Sequence, residues 1–251
     1  VMIRIVGGRE QLFPRNLDGS GERQITDDGA DHEDPVWSPD GRKIAFVLVK
    51  DGTKVVHLMN PDGSGLEAVT PPTQSAIHPS FTPDGRAILY CTDDDLRPPE
   101  KNDSEIYSID LATKTVTTLI SGGVNTFPVM SPDGRKIAYR KIVGDMNSEV
   151  FVADADGSNP RNLTNHWTFE GWPQWSPDGR TIAFAGNRGN AGYQIFLMNA
   201  DGSDVRLLAA TEGRGTSPKW APDGRTVYFT VCRSSQERHG CEIMAAEAGR
   251  A

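Results

Sequence analysis

One pentapeptide recurs five times along this chain: SPDGR at 38–42, TPDGR at 82–86, SPDGR at 131–135, SPDGR at 176–180 and APDGR at 221–225. Successive copies start 44, 49, 45 and 45 residues apart. A second motif interleaves with the first: LDGSGERQIT from Leu17, PDGSGLEAVT from Pro61, ADGSNPRNLT from Ala155 and ADGSDVRLLA from Ala200. Residues 109–120, IDLATKTVTTLI, put a different turn in the same place. A fixed period of this length means that one supersecondary unit is used repeatedly, each copy burying its apolar faces against its neighbours.

Each unit reads as four short strands. The first ends on Trp37, Phe81, Met130, Trp175 or Trp220, and these side chains are expected to be buried between units. The PDG turn follows: Pro presets φ, Asp tolerates the third position, and Gly takes positive φ at the fourth. The second strand alternates with period two (KIAFVL, AILYC, KIAYR, TIAFA, TVYFT), the pattern of a half-buried strand. The third reads VVHLMN, EIYSID, EVFVAD, QIFLMN or EIMAA, and after the DGS turn a fourth closes the unit. Four antiparallel strands repeating every 45 residues or so predict an all-β chain, a single β-propeller over residues 1–251. Residues 27–251 make five repeats of 45, and residues 1–26 match the end of another through MIRIV, QLFPRN and ERQIT. The expectation is six blades with incomplete terminal blades; the alternative is five blades with an N-terminal hairpin.

The charge balance, 26 Lys and Arg against 34 Asp and Glu, repels phosphate backbones and argues against nucleic acid as a partner. No run reaches the roughly 18 apolar residues of a membrane-spanning helix. The opening VMIRIVGGRE lacks the apolar stretch of a signal peptide, as a mature exported chain also would. Cys232 and Cys241 flank RSSQERHG between two strand-like runs, so a hairpin brings them within bridging distance. They form a disulfide in an oxidising compartment, or else stand as two thiols at strand ends. Cys91, in another repeat, is expected to stay out of any disulfide.

The pattern xPxWSPDGRxIAF…IFLMNADGSxxRxLT resembles the WD-like repeat of the TolB-type β-propellers, and the resemblance covers nearly the whole chain. It implies a periplasmic or secreted monomer that binds other molecules. The same repeat also occurs in propeller domains of peptidases and in oligogalacturonate lyases, and one fold hosts many functions.

In such a ring the two uniform motif turns share one rim, and the variable connections share the other, where binding is expected. The residue before the Pro of strand one faces the channel: Asp34, His78, Phe127, Trp172 and Ser217. Nearby lie His32, Glu33, Asn125, His166, Trp167, Glu170 and Arg214. The first reading is a non-enzymatic module that recognises a protein, peptide or glycan there, in a pocket lined by Asp34, His78 and Trp172. The rival location is the acidic, proline-stiffened loop at 92–103, with Asp93, Asp94, Asp95, Pro98 and Pro99. The alternative function is a lyase, hydrolase or cyclase using His78 or His166 as base beside Asp34 or Glu170. No dedicated metal or cofactor motif is present. A cation in the channel would draw on Glu33, Asp34, His78 and Glu170, and solvated polar groups lining a wet channel are the plain alternative.

Overall fold

A computed structural model describes residues 1–92, 103–144, 147–190, 192–233 and 241–249. The chain divides into two compact units, Val1–Gly122 and Gly123–Ala251. The first opens with a two-stranded sheet, β1 (Met2–Val6) and β2 (Arg9–Phe13). Two four-stranded meanders follow: β3 (Asp31–Trp37), β4 (Ile44–Lys50), β5 (Thr53–Met59) and β6 (Glu67–Ala68), then β7 (Ala76–Phe81), β8 (Ala87–Thr92), β9 (Ile106–Asp110) and β10 (Val116–Ile120). The second unit has β11 (Asn125–Met130), β12 (Lys136–Gly144), β13 (Asn147–Asp154) and β14 (Arg161–Asn162). Next come β15 (Glu170–Trp175), β16 (Thr181–Gly186), β17 (Gln194–Asn199) and β18 (Arg206–Ala209), and finally β19 (Arg214–Trp220), β20 (Thr226–Cys232) and β21 (Cys241–Glu247).

These are five antiparallel propeller blades, four of them four-stranded and the last three-stranded. The five-blade alternative therefore describes the sheets. Residues 1–26 supply the hairpin β1–β2, while the expected ERQIT strand is represented by backbone bonds from Ile25 to Leu12 and from Arg23 to Pro14.

Within each unit the first strand of one blade lies on the face of the blade before it, β7 on β3–β5 and β15 on β11–β13. The alternation in the sequence then sorts side chains between two cores. In β16 and β17, Ile182, Phe184, Phe196 and Met198 pack toward Val150, Val152 and Trp175. Their neighbours Ala183, Ala185, Ile195 and Leu197 pack toward Val227, Phe229 and Val231. β16 is thus buried on both faces rather than half-buried, because its blade has a neighbour on each side within the unit, while β20 in the last blade keeps the alternating, half-buried pattern.

The five inner strands end where the sequence places them. Trp175 is buried, and Phe81, Met130 and Trp220 are half-buried. Trp175 and Trp220 each donate Nε1–H to a carbonyl of the preceding inner strand, Val129 and Gln174. Trp37 departs from the expectation at 38% exposed. The sheet before its blade is only the β1–β2 hairpin, so no earlier inner strand of its unit stands at this position to cover the indole.

The PDG turn closes with a bond from the Gly N–H to the carbonyl of the residue three before it, in all five blades. In three copies Ser38, Ser131 and Ser176 donate to the turn aspartate and accept the N–H of Lys43, Lys136 and Thr181. These bonds hold Asp40, Asp133 and Asp178 below the usual carboxylate range. At 110–114 the substituted turn puts Lys114 at φ 59°, doing without glycine.

Candidate functional site

The residues before the strand-one prolines share an unusual backbone. Asp34, His78, Phe127, Trp172 and Ser217 have φ of 50°, 51°, 54°, 53° and 53°. The ladder slips at each of these places: Glu33/Val36, Ile77/Ser80, Thr126/Val129, Gly171/Gln174 and Thr216/Lys219. Each inner strand therefore carries a bulge at its X-Pro step. A non-glycine residue at positive φ costs roughly 1–2 kcal/mol, and bulges of this kind re-aim a side chain. Five such bulges set a side chain at the same position in every blade.

In the first unit the bulges bring together Asp34 and His78. The carboxylate of Asp34 accepts the His78 N–H at 3.2 Å and lies 3.7 Å from Nε2 of the same residue. Nδ1 of His78 lies 3.3 Å from Sγ of Cys91, a fully buried thiol outside any disulfide. The remaining candidates here, His32 and Glu33, have local partners. His32 is enclosed, with ring nitrogens near Glu10 O (3.3 Å) and Asp28 (3.4 Å). Glu33 stands 3.8 Å from Lys54. A cleft of about 370 Å³ opens at the PDG turns themselves, lined by Pro39, Lys43, Phe81 and Pro83 among others.

In the second unit the bulges build an aromatic and cationic cluster. Phe127 and Trp172 have ring centroids 5.1 Å apart, and Tyr193 meets Trp172 edge-on at 5.6 Å. The Arg140 guanidinium lies 4.9 Å from the Phe127 ring centre and 5.8 Å from that of Trp172. The Arg214 guanidinium lies 5.7 Å from Trp172 and 4.7 Å from Tyr193. Two charges thus rest on one aromatic stack, an attraction worth about 0.5–2 kcal/mol per contact. Burial raises the Tyr193 pKa, and the charges of Arg214 and Arg140 pull against that rise.

Local sequence explains the placement. Arg140 donates from Nε to Thr126 at 2.8 Å, and its stem runs across Gly171, where a Cβ would meet Cδ at 2.8 Å. The Gly215 N–H holds the Tyr193 carbonyl at 2.8 Å, tying the start of β19 beside the ring. Arg214 is exposed, while the Phe127, Trp172 and Tyr193 rings are half-buried.

Trp172 and Arg214 were legible in the sequence; Arg140 and Tyr193 were not. The signal for Arg140 was present. In the aligned second strands its place is held by Val47, Cys91, Ala185 and Thr230, so a charge there interrupts an otherwise uncharged column.

Most of the other candidates lie where the start of β13 meets the segment leading into β15, linked by the Ser148–Phe169 bridge. Glu170 is fully buried and paired with Arg188, whose guanidinium lies 5.6 Å over both Phe184 and Phe196. Buried Glu149 accepts the His166 N–H at 2.8 Å and the Thr164 hydroxyl. Its pKa is raised, first by burial and further by the charge of Glu170. The His166 ring meets Thr168 at 2.8 Å and stacks on Trp167, which is 69% exposed. Asn125 is buried, donating to the Gly123 carbonyl at 3.0 Å. Among the described residues no group of three or more His, Cys, Asp or Glu is arranged to hold a metal ion, and no helix is long and apolar enough to cross a membrane. Residues 93–102 of the rival loop lie outside the described residues.

Cys232 and Cys241 form a disulfide, facing one another in the β20–β21 ladder with α-carbons 4.1 Å apart. The bridging expectation from the hairpin register holds.

Blades, meander topology and inner-strand bulges define a β-propeller. A family model described as the TolB beta propeller domain matches residues 98–249, and the chain belongs to that family. The fold is similar to TolB from Acinetobacter baumannii, with TM-score 0.78 and 21% identity over 95% of this chain and 60% of that one. It is also similar to an oligogalacturonate lyase from Vibrio parahaemolyticus, with TM-score 0.63 and 18% identity over 95% of this chain and 70% of that one. A shorter stretch of 43 residues is 46% identical to dipeptidyl-peptidase 5 of Porphyromonas gingivalis, covering 17% of this chain and 6% of that peptidase. At such identities the structural matches speak for the fold alone.

Proposed function

We propose that this propeller is a non-enzymatic binding module, monomeric and periplasmic or secreted, that recognises a protein, peptide or glycan through its inner-strand bulges. The observation that carries this reading is the cluster of Phe127, Trp172, Tyr193, Arg140 and Arg214. Rigid aromatic rings with arginine are the groups that dominate binding interfaces, because they offer large contact area at low entropic cost. The disulfide supports an oxidising compartment.

The test is selection of binders from a peptide library and a glycan array, followed by counter-screening against Trp172→Ala, its folding checked by circular dichroism. Binders should lose at least about tenfold in affinity, or ~1.4 kcal/mol. Binders indifferent to Trp172→Ala would move the site to another surface. The second reading, acid–base catalysis, is favoured by the contact of Asp34 with His78. Turnover of an array member that His78→Ala abolishes would establish it in place of the first.

A further inference from the structure

We propose that the cleft of about 370 Å³ at the first two PDG turns is a docking site for a tryptophan side chain carried on a basic peptide segment. This goes beyond the binding reading above and shares no residue with the cluster around Trp172. The cleft lies between the β3–β4 turn and the β7–β8 turn, and its volume suits one aromatic side chain with the backbone beside it.

Three blade pairs within the two units are built on one frame. A Cβ added at the later turn's glycine would lie 3.8, 3.6 or 3.8 Å from Cδ of the earlier turn's proline, for Gly85 on Pro39, Gly179 on Pro132 and Gly224 on Pro177. The side chains inside that frame differ. In two of the pairs the corresponding positions hold Val152, Trp175 and Ala200, and Leu197, Trp220 and Ala248. Each of these trios packs into an apolar core cluster, its indole N–H bonded to a backbone carbonyl. In the first pair the trio is Leu58, Phe81 and Leu111, and it lines the cleft instead. Phe81 offers one ring where Trp175 and Trp220 offer two fused rings, and Leu111 raises an apolar wall where the others have alanine. The chain itself thus shows what fits against this frame, an indole laid on the preceding blade. Tryptophan is also the side chain that most often anchors a segment in such a pocket.

Charge selects the segment that carries the ring. Asp40 and Asp84 line the cleft with Lys43, whose ammonium is already bonded to Asn60 at 2.9 Å. Hydrogen bonds from the hydroxyls of Ser38 and Thr82, and from the N–H groups of Arg42 and Arg86, hold both carboxylates below the ordinary range. Two anions against one engaged cation favour a positive ligand over an acid. The margin is modest, because both carboxylates are exposed and Arg86 stands 3.9 Å from Asp84.

The probes are acetyl-lysyl-tryptophanamide, acetyl-glutamyl-tryptophanamide and acetyl-lysyl-leucinamide. Each is titrated into the full chain while the Gly85 amide and Leu111 methyl signals are followed by NMR. The lysyl-tryptophan probe should shift both saturably, binding at least about tenfold more tightly than the leucine probe and about threefold more tightly than the glutamyl one. Leu111→Ala installs the residue of the other pairs and should weaken that probe at least about threefold, with folding checked by circular dichroism. Phe81→Trp should weaken it at least about fivefold, because the protein then supplies the ring itself. If that variant fails to fold, Leu111→Ala decides alone. A leucine or glutamyl probe that binds as tightly, shifts confined to other residues, or no saturable shift would each overturn the inference. So would full affinity in either folded variant. With no residue shared, every outcome leaves the reading at Trp172 to its own test.

Discussion

The turn after each inner strand and the bulge within it repeat equally well in space and very unequally in sequence. At the turn, five near-identical pentapeptides make five near-identical sets of backbone hydrogen bonds. At the bulge, Asp34, His78, Phe127, Trp172 and Ser217 share φ within 50–54° while ranging from a carboxylate and an imidazole to aromatic rings and a hydroxyl. At the turn the residues themselves make the backbone: Pro sets φ, Gly supplies positive φ, and Ser and Asp satisfy the N–H groups. At the bulge the backbone is imposed by ladders on either side of the X-Pro step, so the side chain is released from a folding duty. A repeated fold can vary its function where the conformation is held by something other than the varying residue.

The largest expected effect breaks the repeated side. Gly202, in a DGS turn, has φ +86°, and a Cβ there would meet the Leu163 carbonyl oxygen at 2.8 Å. Gly202→Ala should destabilise by about 2–4 kcal/mol, combining left-handed strain with a backbone clash. Urea unfolding measures it, and a loss below about 1 kcal/mol would mean that the turn residues follow the backbone rather than set it.

A smaller and opposite effect is expected at the bulge. Ser217→Gly should raise stability by roughly 0.5 kcal/mol, since relief of the positive-φ strain exceeds the entropy that glycine adds to the unfolded chain. Equal or lower stability would show that the bulge stores no strain.

The smallest effect separates the carboxylates of the two ends. The turn aspartates have lowered pKa values, so their contribution is present above the ordinary carboxylate range and lost as pH falls through the lowered values. Glu149, at the opposite end of its blade, has a raised pKa. Its contribution is present below the ordinary range and lost as pH rises through the raised value. Glu149→Gln should therefore flatten the decline in unfolding free energy between about pH 4 and neutrality. Identical slopes in both proteins would remove Glu149 from the pH response.

The sequence by itself determined the period, the strand ends, the two turns and the nearness of Cys232 to Cys241, because each rests on neighbours within about ten residues or on strict repetition. It also singled out the five positions before proline, though not their φ, since a bulge is a property of two strands and not of one. Only the tertiary structure decided which candidates meet. Glu170 and His32 are candidate site residues in the sequence, and packing buries both beside partners, Arg188 and Asp28. Arg140 comes from β12, Trp172 from β15, Arg214 from β19, and Tyr193 from the approach to β17, up to 74 residues apart between Arg140 and Arg214. Their convergence depends on how one blade stacks on the next. That stacking is set by the alternating apolar faces of whole strands, and no local stretch of sequence contains it.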